Sequence, residues 1–216
     1  MKLYYTSGDN SLAIRIIIHE LNLDCEYEAV DLSTKLTETG EDYFKINPKG
    51  QVPALLISKE RLLTENAIIQ QYLADKYHAV GLLPVIPAFE RYRVLEWLNF
   101  ISTEVHKTFS SLYKKTVPDS VKQDVFYPLL KRKYDYIDSH LANNTYLMGK
   151  QFTLPDSYLF TSLTWLIQLN INFDPWPNLW RYFKLLNQRP SVKKSLEEEN
   201  LLNIILTYIE NSGDIL

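Results

Sequence analysis

Two periodicities divide the chain. In residues 1–80 short apolar runs alternate with helical patterns. KLYY predicts a strand, Ser11 opens SLAIRIIIHELNL with Ile14, Ile17, Ile18 and Leu21 at helical spacing, and CEYEAVDL alternates as a second strand. A strand, a helix and a strand within about thirty residues make a βαβ unit, and the handedness rule for such units places the two strands side by side and parallel. EDYFKIN predicts a short helical or irregular turn, Asn47-Pro48-Lys49-Gly50 a turn, and ALLIS with RLLT, flanking Lys59-Glu60, a hairpin. From Glu65, ENAIIQQYLADKY places Ile68, Ile69, Tyr72, Leu73 and Tyr77 on one helical face.

After residue 80 the texture changes, because Gly81, Pro84 and Pro87 interrupt all periodicity. The expected division is an α/β domain over 1–80, a linker over 81–88 and an all-helical domain over 89–216. Helices are predicted from Phe89 to Thr116, from Pro118 to Leu141, from Pro155 to Leu169, from Asn178 to Gln188 and from Val192 to Tyr208, with Arg189-Pro190 as a stop between the last two.

Composition narrows the class. The chain has 216 residues, 46% hydrophobic and 23% charged, with 6 Gly and 10 Pro, which excludes disordered and collagen-like chains. A single cysteine, Cys25, forms no intrachain disulfide and supplies neither a zinc ribbon nor a C-x-x-C redox pair. With 23 basic and 26 acidic residues there is no electrostatic footprint for nucleic acid or an acidic membrane. MKLYYTSGDN has no signal-like apolar run and no segment reaches 18 uninterrupted apolar residues, so a cytoplasmic protein with no membrane and no nucleic-acid partner is expected.

Three segments carry candidate chemistry. In NPKGQVPALL, Pro53 stands at a strand threshold, where it cannot donate to the ladder; a Val52-Pro53 bond can be cis, which would turn the Val52 backbone outward to pair with an extended peptide ligand, while an ordinary trans proline is the alternative. In LLTENAIIQQYLADKY, a helix beginning at Glu65 and Asn66 offers free N–H groups to a carboxylate, and the Glu65 carboxylate can take an ammonium beside it. An α-amino acid terminus satisfies both, and plain capping by Thr64 and Glu65 is the alternative. On the long helix that contains WLNFISTEVHK, the residues Glu96, Asn99, Thr103, His106 or Lys107, and Ser110 recur on one polar face.

In this order the segments resemble the glutathione transferase family, over residues 1 to about 200. NPKGQVPALL, WLNFISTEVHK and FTLPDSYLFTSLTWL resemble its bacterial beta class in particular. The resemblance implies a thioredoxin-like first domain that binds glutathione as co-substrate, a helical second domain that binds a small hydrophobic electrophile, a homodimer, and no metal. It implies that Val52, beside a cis Pro53, pairs with the cysteinyl part of glutathione and that Glu65 with Asn66 holds the γ-glutamyl group. Asn66 departs from the small residue common there, but its amide can bind a carboxylate. The resemblance further places Lys35 at the glycyl carboxylate, Tyr5 beside the thiol, His106 and Lys107 near the thiolate, Glu104 across the dimer interface, and Tyr113 and Trp165 around the electrophile. Thr153 and Asp156 have capping-box spacing and a structural role.

One departure bears on the reaction. The class carries a cysteine in a first-loop context like G-x-C-S-L-A, whereas here the run is Gly8-Asp9-Asn10-Ser11-Leu12-Ala13. Asn10 removes the protein thiol that forms a mixed disulfide, and Cys25 reads as a small buried hydrophobe. Conjugation needs only glutathione's own thiolate held by donors, for which Ser11 and His106 lead, with Asn10 and Tyr5 also placed to contribute. The expected function is therefore a glutathione transferase that conjugates electrophiles and has lost disulfide exchange. The alternatives are a non-catalytic glutathione or hydrophobic-ligand binder on the same scaffold, or a glutathione-dependent isomerase or dehalogenase. The C-terminal run LLNIILTYIENSGDIL is expected to pack as an added turn against the helical domain near the electrophile.

Overall fold

The structure is a computed structural model that describes residues 1–212; Gly213–Leu216, the end of that C-terminal run, lie outside the described residues. The chain opens with β1 (Lys2–Tyr5), α1 (Ser11–Glu20) and β2 (Glu26–Asp31), and the two strands pair in parallel with Leu3 opposite Tyr27. Next come β3 (Leu36–Thr37) and the single turn α2 (Tyr43–Ile46), then the hairpin β4 (Ala54–Ser58) and β5 (Arg61–Thr64), and α3 (Asn66–Lys76). The sheet order is β3-β2-β1-β4-β5, with β1 parallel to β2 and every other pair antiparallel. The two-residue β3 escapes the sequence pattern because alternation needs about four residues to register.

The remainder is helical. α4 (Phe89–Phe100) runs through a π-helical turn at Ile101–His106 into α5 (Lys107–Tyr113), three residues short of the Thr116 expected from the pattern. α6 (Asp119–Val121) leads through a second π-helical turn, Lys122–Phe126, into α7 (Tyr127–Leu141). Pro128 accounts for that turn: it lacks an N–H and its ring would strike the carbonyl four residues back, so the backbone widens before it. α8 (Leu154–Gln168), α9 (Pro177–Asn187), α10 (Pro190–Glu198) and α11 (Leu202–Ser212) complete the described chain.

Two expectations change here. Pro190 opens α10 as its first residue, where a missing N–H costs nothing, and so acts as a start more than as a stop. The segment read as one helix from Val192 to Tyr208 is two, broken where Asn200 takes a left-handed backbone (φ 59°) and Leu201 donates to the Leu196 carbonyl at 2.8 Å. α11 packs on α10 and α8, burying Ile205.

One sheet face is covered by α2, with Tyr43 packed on Tyr4 beside Val30, Val52 and Ala54. The other face carries α1 and α3. α1 is buried on every side from Ser11 to Ile18 because α3, α8 and α10 pack around it, so one continuous core joins the sheet to the helices. The start of α8 is fixed by buried Asp156, whose carboxylate accepts from the Thr153 N–H (2.7 Å), the Thr153 hydroxyl (2.9 Å), the Leu147 N–H (2.9 Å) and the Tyr182 hydroxyl (2.8 Å). Among the described residues no helix is long and apolar enough to cross a membrane.

Candidate active site

A small cavity of about 60 Å3 lies between the sheet and the helical domain. Val52 and Pro53 line it, and their peptide bond is cis. The Gln51 carbonyl is held by the Asn47 amide (2.7 Å) and the Tyr43 hydroxyl (2.9 Å), which fixes the turn just before Val52. Among the described residues neither backbone group of Val52 takes a backbone partner, so both remain available to a ligand. Beside them α3 begins. Glu65 precedes its first residue with a left-handed φ of 71°, and its carbonyl accepts from Ile68 (3.0 Å) and Ile69 (2.9 Å). Its carboxylate does not cap the helix. It pairs instead with the Lys49 ammonium at 2.6 Å, which also donates to Thr64 at 3.0 Å. Both partners are more than half exposed, so the pair is weak and open to exchange with a ligand ammonium.

Asn66 corrects one expectation. Its side chain is 4% exposed and turned inward, with Nδ2 donating to the Asn10 carbonyl at 2.6 Å and Oδ1 accepting from Gln70 at 2.7 Å. The side-chain amide therefore braces the Asn10 loop and is not free for a carboxylate, which leaves the backbone N–H groups at the helix start as the donors without a helical partner. Ser11 is a second correction. It is fully buried, and its hydroxyl donates to the Thr6 carbonyl (3.2 Å) and accepts from the Thr6 N–H (3.3 Å), so it closes the turn after β1 and lines neither cavity. Asn10 does line the small cavity, and its buried Oδ1 has no hydrogen-bond partner.

From the helical domain, Ser102, His106 and Lys107 reach the same cavity. The π-helical turn ending at His106 re-aims the side chains that follow, which places His106 and Lys107 together at the cleft. The His106 Nδ1 and the Tyr158 hydroxyl are 2.7 Å apart, and the ring leans on Trp165 with centroids 4.9 Å apart. Burial, with the Lys107 charge adding, pushes His106 down to about 4. At neutral pH the ring is thus neutral: it can hydrogen-bond to a thiolate but not attract one as a cation.

His106 also lines a second, larger cavity of about 270 Å3 on its other side. There Trp165 donates its indole N–H to the Gly8 carbonyl at 2.8 Å, and the Tyr113 hydroxyl donates to Gln168 at 3.0 Å. The β1–α1 loop from Thr6 to Asp9 forms the facing wall. Sequence reasoning singled out Tyr113 and Trp165 but missed Asp9 and Gln168 here, and Asn47, Lys49, Gln51 and Ser102 in the small cavity. The NPKG turn was the available signal for Asn47 and Lys49.

Three further candidates stand away from both cavities. Tyr5 shares its strand face with Leu3, so alternation turns it to α1, where its ring lies 4.3 Å from the Arg15 guanidinium and edge-on to Tyr27. Lys35 is tied to the Gly50 carbonyl at 2.8 Å. Glu104 is exposed and paired with Lys133. Cys25 is partly buried, and burial pushes its thiol up to about 11, which keeps it protonated and unreactive. Among the described residues no group of three or more His, Cys, Asp or Glu side chains is arranged to hold a metal ion.

Comparison with known proteins agrees with this geometry. The glutathione S-transferase N-terminal domain family matches residues 1–75, and the glutathione S-transferase C-terminal domain family matches residues 73–190. Glutathione S-transferase GstA of Escherichia coli is 39% identical over 201 residues, covering 93% of this chain and all of that protein. Two solved structures superpose closely over 93% of this chain and 100% of theirs. A sphingomonad glutathione S-transferase complexed with glutathione has a TM-score of 0.88 at 36% identity, and a bacterial beta class enzyme of Sphingomonas chungbukensis has a TM-score of 0.88 at 35%. A thioredoxin-like α/β domain with a mixed sheet, followed by a helical domain, is the architecture these relatives share, and the chain belongs to the glutathione S-transferase family.

Proposed function

We propose that this chain conjugates the glutathione thiolate to small electrophiles, with glutathione in the small cavity and the electrophile in the larger one. The observation that carries this reading is that the two cavities share His106, so a sulfur held beside Val52 opens directly onto the space in front of Trp165 and Tyr113. Free backbone groups at Val52 suit the cysteinyl amide, the start of α3 suits the γ-glutamyl carboxylate, and Glu65 suits its ammonium. Lys49 and Lys107 are the cavity's own cations for the remaining carboxylate, a part that Lys35, tied to Gly50, is less free to play.

In the reaction the glutathione S–H loses its proton to solvent water, the sulfur pair forms a bond to the electrophilic carbon, and the leaving group departs with its electrons or the adduct takes up a proton from water. The protein's part is to hold the thiolate in reach of donors. The neutral His106 ring and the Asn10 amide are the side chains placed to supply them. Without a thiol at position 10 the protein forms no mixed disulfide with glutathione.

Phe89 and Tyr92, one turn apart on α4, are exposed, as is Tyr136 of α7, whose ring stacks on Trp97 at 5.7 Å. A second copy of this chain is the proposed cover, which would bring Glu104 near the partner's site. A cytoplasmic location accords with this co-substrate.

The test is conjugation of 1-chloro-2,4-dinitrobenzene, read by absorbance, together with calorimetric titration of glutathione. Turnover with saturable glutathione dependence supports the transferase; tight glutathione binding with no conjugation of any electrophile tried would leave a binder. In a mixed-disulfide reduction assay the wild type is expected to be inactive and Asn10→Cys active, and substantial activity in the wild type overturns the loss of exchange. Sedimentation reads the dimer.

A further inference from the structure

The larger cavity has a polarity that the transferase reading does not specify. Its walls hold four hydroxyls and one indole N–H, and every one of those protons is turned into the protein. Thr6 donates to the Val30 carbonyl (2.7 Å), Ser7 to the Glu199 carbonyl (2.7 Å) and Ser110 to the Lys107 carbonyl (2.9 Å), while Tyr113 and Trp165 donate to Gln168 and Gly8 as described. What the four hydroxyls can offer a ligand is lone pairs, and the indole, its one donor used on Gly8, offers only its apolar ring. Asp9 adds a carboxylate. Its Oδ1 accepts the Asn10 N–H at 2.5 Å, and the residue forms part of the cavity lining, close enough for its charge to help burial push the Tyr113 hydroxyl of the same lining up. No Lys or Arg lines the cavity among the described residues, and the side-chain donors left are the Gln168 amide and the neutral His106 ring.

We propose that this cavity selects electrophiles whose end remote from the reacting carbon carries a positive charge or a hydrogen-bond donor, read by the Asp9 carboxylate. The inference rests on the reading of this cavity as the electrophile site. An anionic end entering here gives up its water to face a carboxylate and oxygen lone pairs with no cation to repay it. A cationic or donor end meets a charged acceptor already oriented by the Asn10 N–H, and a charge-assisted hydrogen bond is among the stronger polar contacts available.

Three isosteric aryl chlorides separate the cases: 4-chloro-3-nitrobenzamidine, 4-chloro-3-nitrobenzamide and 4-chloro-3-nitrobenzoate. Each rate is divided by its uncatalysed rate with glutathione, and each Kd is measured by calorimetry on the glutathione-loaded protein. The expected order is amidine, amide, benzoate, with the amidine favoured over the benzoate about fivefold, the scale of one partly exposed charge contact. Asp9→Asn keeps the acceptor for the Asn10 N–H and should collapse the amidine-to-benzoate ratio toward one. Equal ratios in the wild type, or a ratio unchanged in Asp9→Asn, overturn the proposal. Failure to conjugate even the neutral benzamide would instead overturn the transferase reading, and the Kd order still decides the polarity of the cavity.

Discussion

The Glu199 carboxylate accepts the Gly8 backbone N–H at 2.8 Å across 191 residues of chain. The same residue binds the Arg15 guanidinium at 2.9 Å through its other oxygen and the Ser7 hydroxyl through its carbonyl. It is 2% exposed, so the C-terminal end of α10 clamps the loop that walls the larger cavity. Arg15, itself buried between Tyr5 and Tyr27, keeps only Glu198 if the clamp is removed. Glu199→Ala should cost about 3 kcal/mol in urea unfolding, the scale of a buried charge losing a partner. Because the loop walls the electrophile side, the KM for electrophile should rise more than the KM for glutathione.

Gly8 is the other half of that clamp. Its φ is 72°, and a Cβ there would lie 2.9 Å from the Gln168 amide nitrogen. Gly8→Ala should lose about 1–2 kcal/mol of stability from the left-handed backbone alone. It should also displace Gln168 from Tyr113, which steady-state kinetics would show as a raised electrophile KM.

Stability against pH should reveal two opposed groups. His106 falls from an ordinary 6.5 to about 4, so the unfolded chain binds a proton that the native state refuses; its contribution is full above pH 6.5 and lost as pH falls toward 4. Burial pushes Glu199 from 4.5 up to about 7 despite the Gly8 N–H and Arg15, so its contribution is full below pH 4.5 and lost as pH rises toward 7. Each amounts to about 3 kcal/mol and they oppose each other across much of the window. Denaturant titrations should therefore give a flat profile for these groups in the wild type. His106→Gln should lose stability with rising pH relative to wild type, and Glu199→Gln should gain it.

Tyr158 holds the His106 ring. Burial raises its hydroxyl well above the ordinary range, so it keeps its proton and can donate to Nδ1, leaving the other ring nitrogen protonated. Tyr158→Phe should lower kcat about tenfold with little change in glutathione Kd, and should raise the pKa of bound glutathione followed by thiolate absorbance.

Asp156 accepts four hydrogen bonds at the start of α8 with no exposure to solvent. Asp156→Ala leaves those donors unpaired and should cost about 3 kcal/mol or more by chemical denaturation. The residue lines neither cavity, so the folded fraction should keep its specific activity.

The strands β1, β2, β4 and β5 and the helices α1 and α7 were legible because their period is written in consecutive apolar positions. α3 was legible as an element, but Ile68 and Tyr77 of its expected apolar face are exposed while Asn66 and Gln70 are buried, because the Asn10 loop and Ser157 of α8 meet that side. Val52, Pro53 and Glu65 were legible because a proline beside a strand and an acidic residue before a helix restrict the backbone locally. Ser11, Tyr5 and Asn66 were misplaced for a common reason. Each stands at a position that a ligand could reach, and the face it turns depends on a neighbour brought from elsewhere: the Thr6 backbone, the Arg15 guanidinium, and the Asn10 carbonyl with Gln70.

Local pattern thus determined the order of the longer elements (though not β3 or the break between α10 and α11), the change to all-helical chain beyond residue 88 and the missing thiol at position 10, since each is a property of residue type within a few positions. Only the tertiary structure decided that His106 is neutral, that two cavities meet at it, that Asp9 is the carboxylate of the larger one, and that Glu199 secures the loop between them. Those properties arise from burial and from contacts across 50 to 190 residues, distances over which hydrophobic periodicity carries no information about which side chains will meet.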